Sequence, residues 1–270
     1  VGEPTQCLNY GEHNFPTRAG TSFSSTLGPV HAGFFGQSSF ATIALASERN
    51  AVRVETALPP ELLAPLGCGI QTGVGAITHV AQLRSTQTLV IIGMGAVGLA
   101  ALFAALDAGA RAIVAVDTND SRLTAADQAG AMATIDASRP DWWADVRRIF
   151  PEGADVVVES SGAPVSLPAA LQCVRSGGTV VVAGAPPFTH ETPIRVADLV
   201  NRSITIKGTA EGGGKSRDRI PRLVRMVESG ALPLALMLEV AQFSDIPAWL
   251  QRVSETTPIK PVFRMPQTAV

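Results

Sequence analysis

LVIIGMGAVG, residues 89–98, carries an apolar run into three spaced glycines, and an acidic residue, Asp117, stands nineteen positions beyond the last of them. A helix-like stretch follows from Leu99 to Asp107, and a second apolar run, Ala112 to Val116, ends at Asp117. The order is strand, glycine turn, helix, strand, acid, which is the dinucleotide-binding fingerprint in the context it requires. Gly93 makes the tight turn, Gly95 admits a pyrophosphate close to the backbone, and Gly98 lets the helix pack on its strand. The N-terminus of the following helix, by Ala96 and Val97, then offers unbonded N–H groups and a partial positive charge to phosphates. The alternative is a glycine-rich turn in another α/β protein.

Outward from this stretch the pattern stays regular. Short, uniformly apolar segments near 89–92, 112–116, 133–135, 154–159, 179–183 and 204–208 predict strands covered on both faces. Helices are expected between them, near 97–108, 121–129, 141–149, 164–175 and 196–201. Six strands alternating with helices predict an α/β fold, a doubly wound parallel Rossmann sheet. Before it, 1–32 reads as loop, 34–46 as a strand, Glu61–Leu66 as a short helix and Ile70–Val80 as a helix of small residues. After it come amphipathic helices at Arg219–Glu228 and Ile246–Val253 and a terminal strand at Val262–Arg264. The sheet domain is thus expected over 70–209, with 1–69 and 210–270 belonging to something else.

Composition narrows the partners. The 270 residues are 46% hydrophobic and 16% charged, enough to bury a sizeable core, and the net charge is −2. No basic stripe suits nucleic acid, and no apolar run reaches membrane-span length. The cysteines, Cys7, Cys68 and Cys173, are too far apart to suggest a disulfide framework, so a reducing cytoplasm is the default expectation. The chain opens Val1-Gly2-Glu3-Pro4, in polar, turn-rich sequence without a methionine or a signal segment, as a cut inside a longer protein would.

Several segments together resemble a known family. CLNYGEHNF at 7–15, HAGFFGQSSFAT at 31–42, PLGCGIQTGVGA at 65–76, the fingerprint, GTAEGG at 208–213 and IKPVF at 259–263 occur in the order found in the zinc-dependent medium-chain alcohol dehydrogenases. Within them the chain is most similar to the aryl (benzyl) alcohol dehydrogenases. The resemblance implies a Rossmann sheet flanked by remnants of a β-rich, GroES-like catalytic domain: a partial catalytic domain at 1–69, the NAD-binding domain at 70–209 and a C-terminal return at 210–270. It also implies that a first segment carrying most of the zinc ligands is not among these residues.

The candidate site residues follow. Asp117, at a strand's carboxyl end, would accept from both ribose hydroxyls of NAD and repel a 2′-phosphate; capping the next helix is the structural alternative. Strand ends also place Ser160 and the backbone of Ala183, Gly184 and Ala185 at the ligand crevice, where the last three would reach the nicotinamide carboxamide. By resemblance Arg122 lies near the adenosine ribose and Lys260 near the pyrophosphate; each is otherwise a solvated charge. Val97 would back the nicotinamide ring, or simply pack in the core. Cys68 resembles a catalytic zinc ligand, with a buried free thiol as alternative. Thr72 would face the nicotinamide, or bond locally in the first turn of its helix. Cys7 resembles the last cysteine of a structural zinc lobe; without its partners it is a free surface thiol. Cys173 reads as core. His13, His31, His79 and His190 show no ligand spacing, and Phe34, Phe35 and Phe40 line an apolar cleft or the core.

The leading expectation is an NAD-dependent, zinc-type alcohol dehydrogenase for aromatic or other apolar primary alcohols, N-terminally incomplete and inactive as it stands. Its partners are a small alcohol or aldehyde and a second copy, as a homodimer or a dimer-based tetramer joined near the apolar Ile204–Gly208. The alternative is a non-catalytic NAD-binding module or a degenerate paralogue. A zinc-free reductase is a third reading, against which Cys68 in its glycine setting speaks.

Overall fold

A computed structural model describes residues 4–15, 22–26, 28–31, 35, 39–41, 43–44, 46–187, 189–252 and 259–266. First come α1 (Tyr10–Asn14) and an antiparallel hairpin of β1 (Ser22–Ser25) and β2 (Gly28–His31), so the stretch read as loop carries regular structure. The described residues of 34–46 form no strand, and Phe40 and Ile43 are exposed; Phe34 lies outside the described residues. Alternating side chains are not enough for a strand. Its backbone also needs a partner ladder, and none runs beside this stretch among the described residues.

Next are α2 (Pro60–Leu63) and α3 (Gly69–Gly75), the latter continuing through Ala81 as a wider π-type turn. The alternating region then contains β3 (Thr88–Ile92), α4 (Ala96–Asp107), β4 (Ala112–Asp117), α5 (Asp120–Gln128), β5 (Ala133–Asp136) and α6 (Trp143–Ile149). It continues with β6 (Ala154–Glu159), α7 (Ser166–Cys173), β7 (Val174–Val182), α8 (Val196–Arg202) and β8 (Thr205–Gly208). These six strands form one parallel sheet in the order β5-β4-β3-β6-β7-β8. The order reverses between β3 and β6, the switch point where open α/β sheets bind ligands. Last come α9 (Ser216–Glu228), β9 (Leu238–Gln242), α10 (Ile246–Arg252) and β10 (Lys260–Arg264), with β9 and β10 paired in parallel. The five-residue β9 escaped the sequence reading.

The strand alternation builds the two halves of the core. Leu89, Ile91, Ile113, Ala115, Val156 and Val158 join α3, α4 and α9 on one face of the sheet. Val90, Ile92, Val114, Val116 and Val157 join α6 and α7 on the other. With both faces covered, each strand reads as continuously apolar. In α4 the whole run Gly98–Ala105 is buried, so this helix has no solvent stripe to display. It packs closely against α3: a Cβ on Gly73 would stand 2.1 Å from the Val97 carbonyl oxygen. That approach brings the start of α3, with Cys68, beside the start of α4. At the far edge β8 is shorter and less apolar than the strand expected there. Only Ile206 is even partly buried, and the Lys207 ammonium bonds the Val80 carbonyl at 3.1 Å. A charged residue on a short edge strand limits open-ended pairing.

Candidate functional site

The glycine turn is built for a ligand on one side and for packing on the others. Gly93 has φ +90°, a left-handed conformation that side-chain-bearing residues adopt at a cost, and its N–H bonds the Val116 carbonyl at 2.7 Å. A Cβ on Gly98 would lie 1.8 Å from the Gly93 carbonyl oxygen, so this glycine is needed for contact within the turn itself. Gly95 differs. A Cβ there meets nothing within 4 Å, which leaves open space in front of the helix start. Gly95 is the N-cap of α4 and supplies no side-chain cap, and the first helical bond is Leu99 N–H to Gly95 O at 2.9 Å. The amides of Ala96, Val97 and Gly98 precede that bond and have no acceptor within the helix.

Asp117 is only 7% exposed and faces this turn. Its Oδ2 accepts from the Met94 N–H at 2.6 Å, its Oδ1 accepts from the Asn119 N–H at 2.9 Å, and Arg122 Nη1 stands 3.7 Å away. A carboxylate has about four acceptor positions, so capacity remains for hydroxyls. The helix-capping role offered as an alternative for Asp117 belongs to Asn119, whose Oδ1 accepts from the Arg122 N–H at 3.1 Å.

Other candidates are engaged within the protein. Ser160 Oγ lies 2.8 Å from the Gly93 carbonyl and 3.1 Å from that of Ile92, so the hydroxyl braces the glycine turn. The amides of Ala183 and Gly184 donate to the Glu159 carbonyl at 2.7 and 3.0 Å, which fixes the backbone of this strand end beside β6. Ala185 lies against Gly162. Glu159, which the sequence reading did not single out, is 2% exposed. Its Oε1 accepts from the Ser161 N–H, the Ser161 hydroxyl and the Gly162 N–H at 2.8, 2.6 and 3.0 Å. A buried carboxylate therefore holds the loop after β6 beside the glycine turn. A strand ending in an acid and followed by two serines was the available signal.

Cys68 precedes α3 and carries an exposed thiol, which corrects the alternative of a buried one. The next residue, Gly69, lies against Ala96 of α4: a Cβ on it would be 3.5 Å from the Ala96 Cβ. Thr72 is buried, and both its N–H and its hydroxyl donate to the Cys68 carbonyl at 3.0 Å. Its hydroxyl proton is thus engaged in the first turn of the helix, and its lone pairs remain as acceptors. Cys7 is exposed and free, and Cys173 is buried, where desolvation pushes the thiol up to about 12. Lys260 is half-buried at the start of β10, and its N–H bonds the Met237 carbonyl at 2.9 Å.

The two expected ligands fare differently. The open, uncapped start of α4 beside a buried carboxylate fits a dinucleotide. For zinc, no three His, Cys, Asp or Glu side chains converge among the described residues. A zinc site needs about three protein ligands, so these residues do not fit the metal by themselves. No described helix is long and apolar enough to cross a membrane.

Comparison with known proteins accords with this geometry. The pattern of the family described as zinc-binding dehydrogenase matches residues 96–229. A geraniol dehydrogenase from Castellaniella defragrans is 35% identical over 266 residues, covering 97% of this chain and 71% of that protein. A probable alcohol dehydrogenase from a Pseudomonas species is 32% identical over 217 residues, covering 77% of this chain and 68% of that protein. The crystal structure of benzyl alcohol dehydrogenase from Acinetobacter calcoaceticus superposes with a TM-score of 0.89 at 36% identity, covering 98% of this chain and 73% of the other. With such identity along nearly its whole length and so close a superposition, the chain belongs to the zinc-binding dehydrogenases, among their alcohol dehydrogenases.

Proposed function

We propose that the chain binds NAD, in preference to NADP, and serves an alcohol dehydrogenase that acts on aromatic or other apolar primary alcohols. The observation that carries the reading is the empty space before Gly95 at the uncapped start of α4, with the buried Asp117 carboxylate beside it. When bound with its pyrophosphate there, NAD would supply a hydride acceptor for the alcohol. The residues of this chain bind and orient it: the amides of 96–98 face the pyrophosphate, Asp117 the ribose, and Arg122 and Lys260 add positive charge. A carboxylate at the ribose disfavours a 2′-phosphate, since buried like charges repel. The names of the geraniol and benzyl alcohol dehydrogenases support the substrate class.

In the same reading the expected cofactor domain, 70–209, extends through α9, whose Leu223, Val224 and Met226 are buried in the core of the sheet, and 1–69 and the segment after that core are parts of the catalytic domain. Cys68 and Cys7 are single contributions to a catalytic and a structural zinc site. Residues 1–270 alone are then expected to bind NAD without turning over alcohol. A cytoplasmic setting and a homodimer or dimer-based tetramer complete the reading. Three free cysteines support the first of these two statements, and the exposed Val196 and Val200 of α8, beside the sheet edge, support the second. Fluorescence titration with NADH and NADPH tests it: NADH should bind at least tenfold tighter, and equal or tighter NADPH binding overturns the cofactor assignment. A second reading, a cofactor-binding module without catalysis, is favoured by the absence of a three-ligand cluster among the described residues.

A further inference from the structure

The turn after β8 has a conformation that demands explanation. Glu211, Gly212, Gly213 and Gly214 have φ of +52°, +76°, +67° and +68°. Three of these four left-handed residues are glycines, for which the conformation is easy; Glu211 bears a side chain and is not so excused. The turn is clamped by Arg219, whose guanidinium donates to the Glu211 carbonyl at 2.6 Å, the Gly212 carbonyl at 3.0 Å and the Gly213 carbonyl. It is also docked on α3. A Cβ on Gly212 would stand 2.5 Å from the Gln71 carbonyl oxygen. A side chain held in an unfavourable backbone region by its surroundings is where a functional constraint is sought.

The Glu211 carboxylate leads to Gln71. Gln71 is 1% exposed, and its Nε2 donates to the Gly67 carbonyl at 2.8 Å and lies 3.5 Å from Glu211 Oε2. This fixes the amide's orientation, because turning it over would set Oε1 against the Gly67 oxygen and the carboxylate. Gln71 Oε1 has no partner among the described residues, so the amide is held through its nitrogen alone. Glu211 and the Gly67 carbonyl are the two groups that hold it. Gly67 is the residue before Cys68, whose backbone is itself unusual, with φ −139° and ψ −97°. The charges of Glu211 and Cys68 are both felt at the Tyr10 phenol, which burial chiefly and these two charges secondarily push upward; the three groups share one neighbourhood.

We propose that Glu211 is a positioning residue that acts through the Gln71 carboxamide to fix the Gly67–Cys68 turn, and with it the direction in which the Cys68 thiol stands beside the start of α4. Thr72 holds the carbonyl of Cys68 from one side, and Gln71 holds the carbonyl before it from the other. Glu211 anchors the second of these from an element 140 residues away in sequence. The inference rests on the reading of Cys68 as the thiol at the reacting end of the cleft, but it requires no metal.

The test uses the chain with Cys7→Ser, so that Cys68 is the exposed thiol that reacts. Glu211→Ala, Glu211→Gln and Gln71→Leu are compared by hydrogen exchange over residues 66–72, by the rate of Cys68 alkylation with iodoacetamide, and by Tm. Glu211→Ala and Gln71→Leu should speed exchange over 66–72 by about tenfold, without a matching rise across the sheet, and should shift the alkylation rate. Glu211→Gln keeps the acceptor oxygen without the charge and should stay near the parent in both. Three results overturn the proposal: unchanged exchange over 66–72 in Glu211→Ala, a Glu211→Gln that behaves like Glu211→Ala, or faster exchange throughout the sheet with a lower Tm. NADH titration of the parent reports separately on the cofactor reading.

Discussion

At the scale of single residues, the three glycines of the fingerprint are not equivalent, and the structure orders them. Gly95 faces open space, whereas a Cβ on Gly98 meets the Gly93 carbonyl at 1.8 Å. Gly95→Ala should therefore keep the parent Tm and weaken NADH binding by obstructing the phosphate approach. Gly98→Ala should lower stability by about 1–3 kcal/mol, as overpacking does, because backbone has to shift. Thermal unfolding beside NADH titration separates the two, and a destabilised Gly95→Ala with intact binding would contradict the assignment. Asp117, proposed as the ribose acceptor, also satisfies the buried Met94 N–H. Asp117→Ala should relax the choice between NADH and NADPH and also cost about 1–3 kcal/mol, the usual penalty for orphaning a buried donor. Urea unfolding checks the second effect independently of any cofactor.

Between elements, the bases of β3, β6 and β7 are tied by one carboxylate. Asp155 on β6 accepts from the N–H and hydroxyl of Thr88 on β3 at 2.8 and 2.9 Å, and from Arg175 Nε on β7 at 2.7 Å. Burial works to raise this carboxyl, but the Thr88 N–H, Arg175 and the Thr88 hydroxyl outweigh it and hold it below the usual range. Its folded value is depressed relative to the unfolded chain. Its contribution is thus complete above the ordinary carboxylate range and is lost as pH falls through the folded value. Asp155→Asn should lower Tm near neutrality and flatten its fall below about pH 4. Parallel acid slopes for parent and variant would remove Asp155 from the account. The sheet edge makes a second prediction at this scale. Val196 and Val200 lie one turn apart on α8 with 68% and 69% exposure, next to β8 in sequence. If two copies join along this edge, Val200→Asp should shift light-scattering mass toward the monomer; an unchanged mass places the contact elsewhere.

For the molecule as a whole, the sheet and its helices have a self-sufficient core, whereas among the described residues the Cys68 thiol has no metal-binding company. The buried residues of both faces lie overwhelmingly between 66 and 237, and Cys68 has no converging cluster among the described residues. A protein of residues 1–270 should therefore retain NADH binding, hold well under one zinc per chain after dialysis, and give no detectable benzyl alcohol oxidation followed as NADH absorbance. One zinc per chain with robust turnover would refute the assignment of its ligands. Exposed Phe40 and Ile43, at 68% and 80%, add a risk of association on concentration.

By itself the sequence determined the parallel sheet, the glycine turn and the acid after the second strand. Each depends on a local pattern: apolar runs of strand length, glycine spacing, and helix periodicity between them. It also kept apart two uses for Asp117 that only packing could resolve. Tertiary structure decided that Ser160 braces the glycine turn and that Asp117 takes the Met94 N–H, leaving the cap of α5 to Asn119. It also revealed β9, which becomes a strand by pairing with β10. The contacts that build the site join residues far apart in the chain, 23 positions for Met94 and Asp117 and 140 for Gln71 and Glu211. Local preference cannot encode such partners. They arise when α3 and α4 approach closely enough for backbone to touch backbone, and when a left-handed turn is pressed against the residue that its own carboxylate holds.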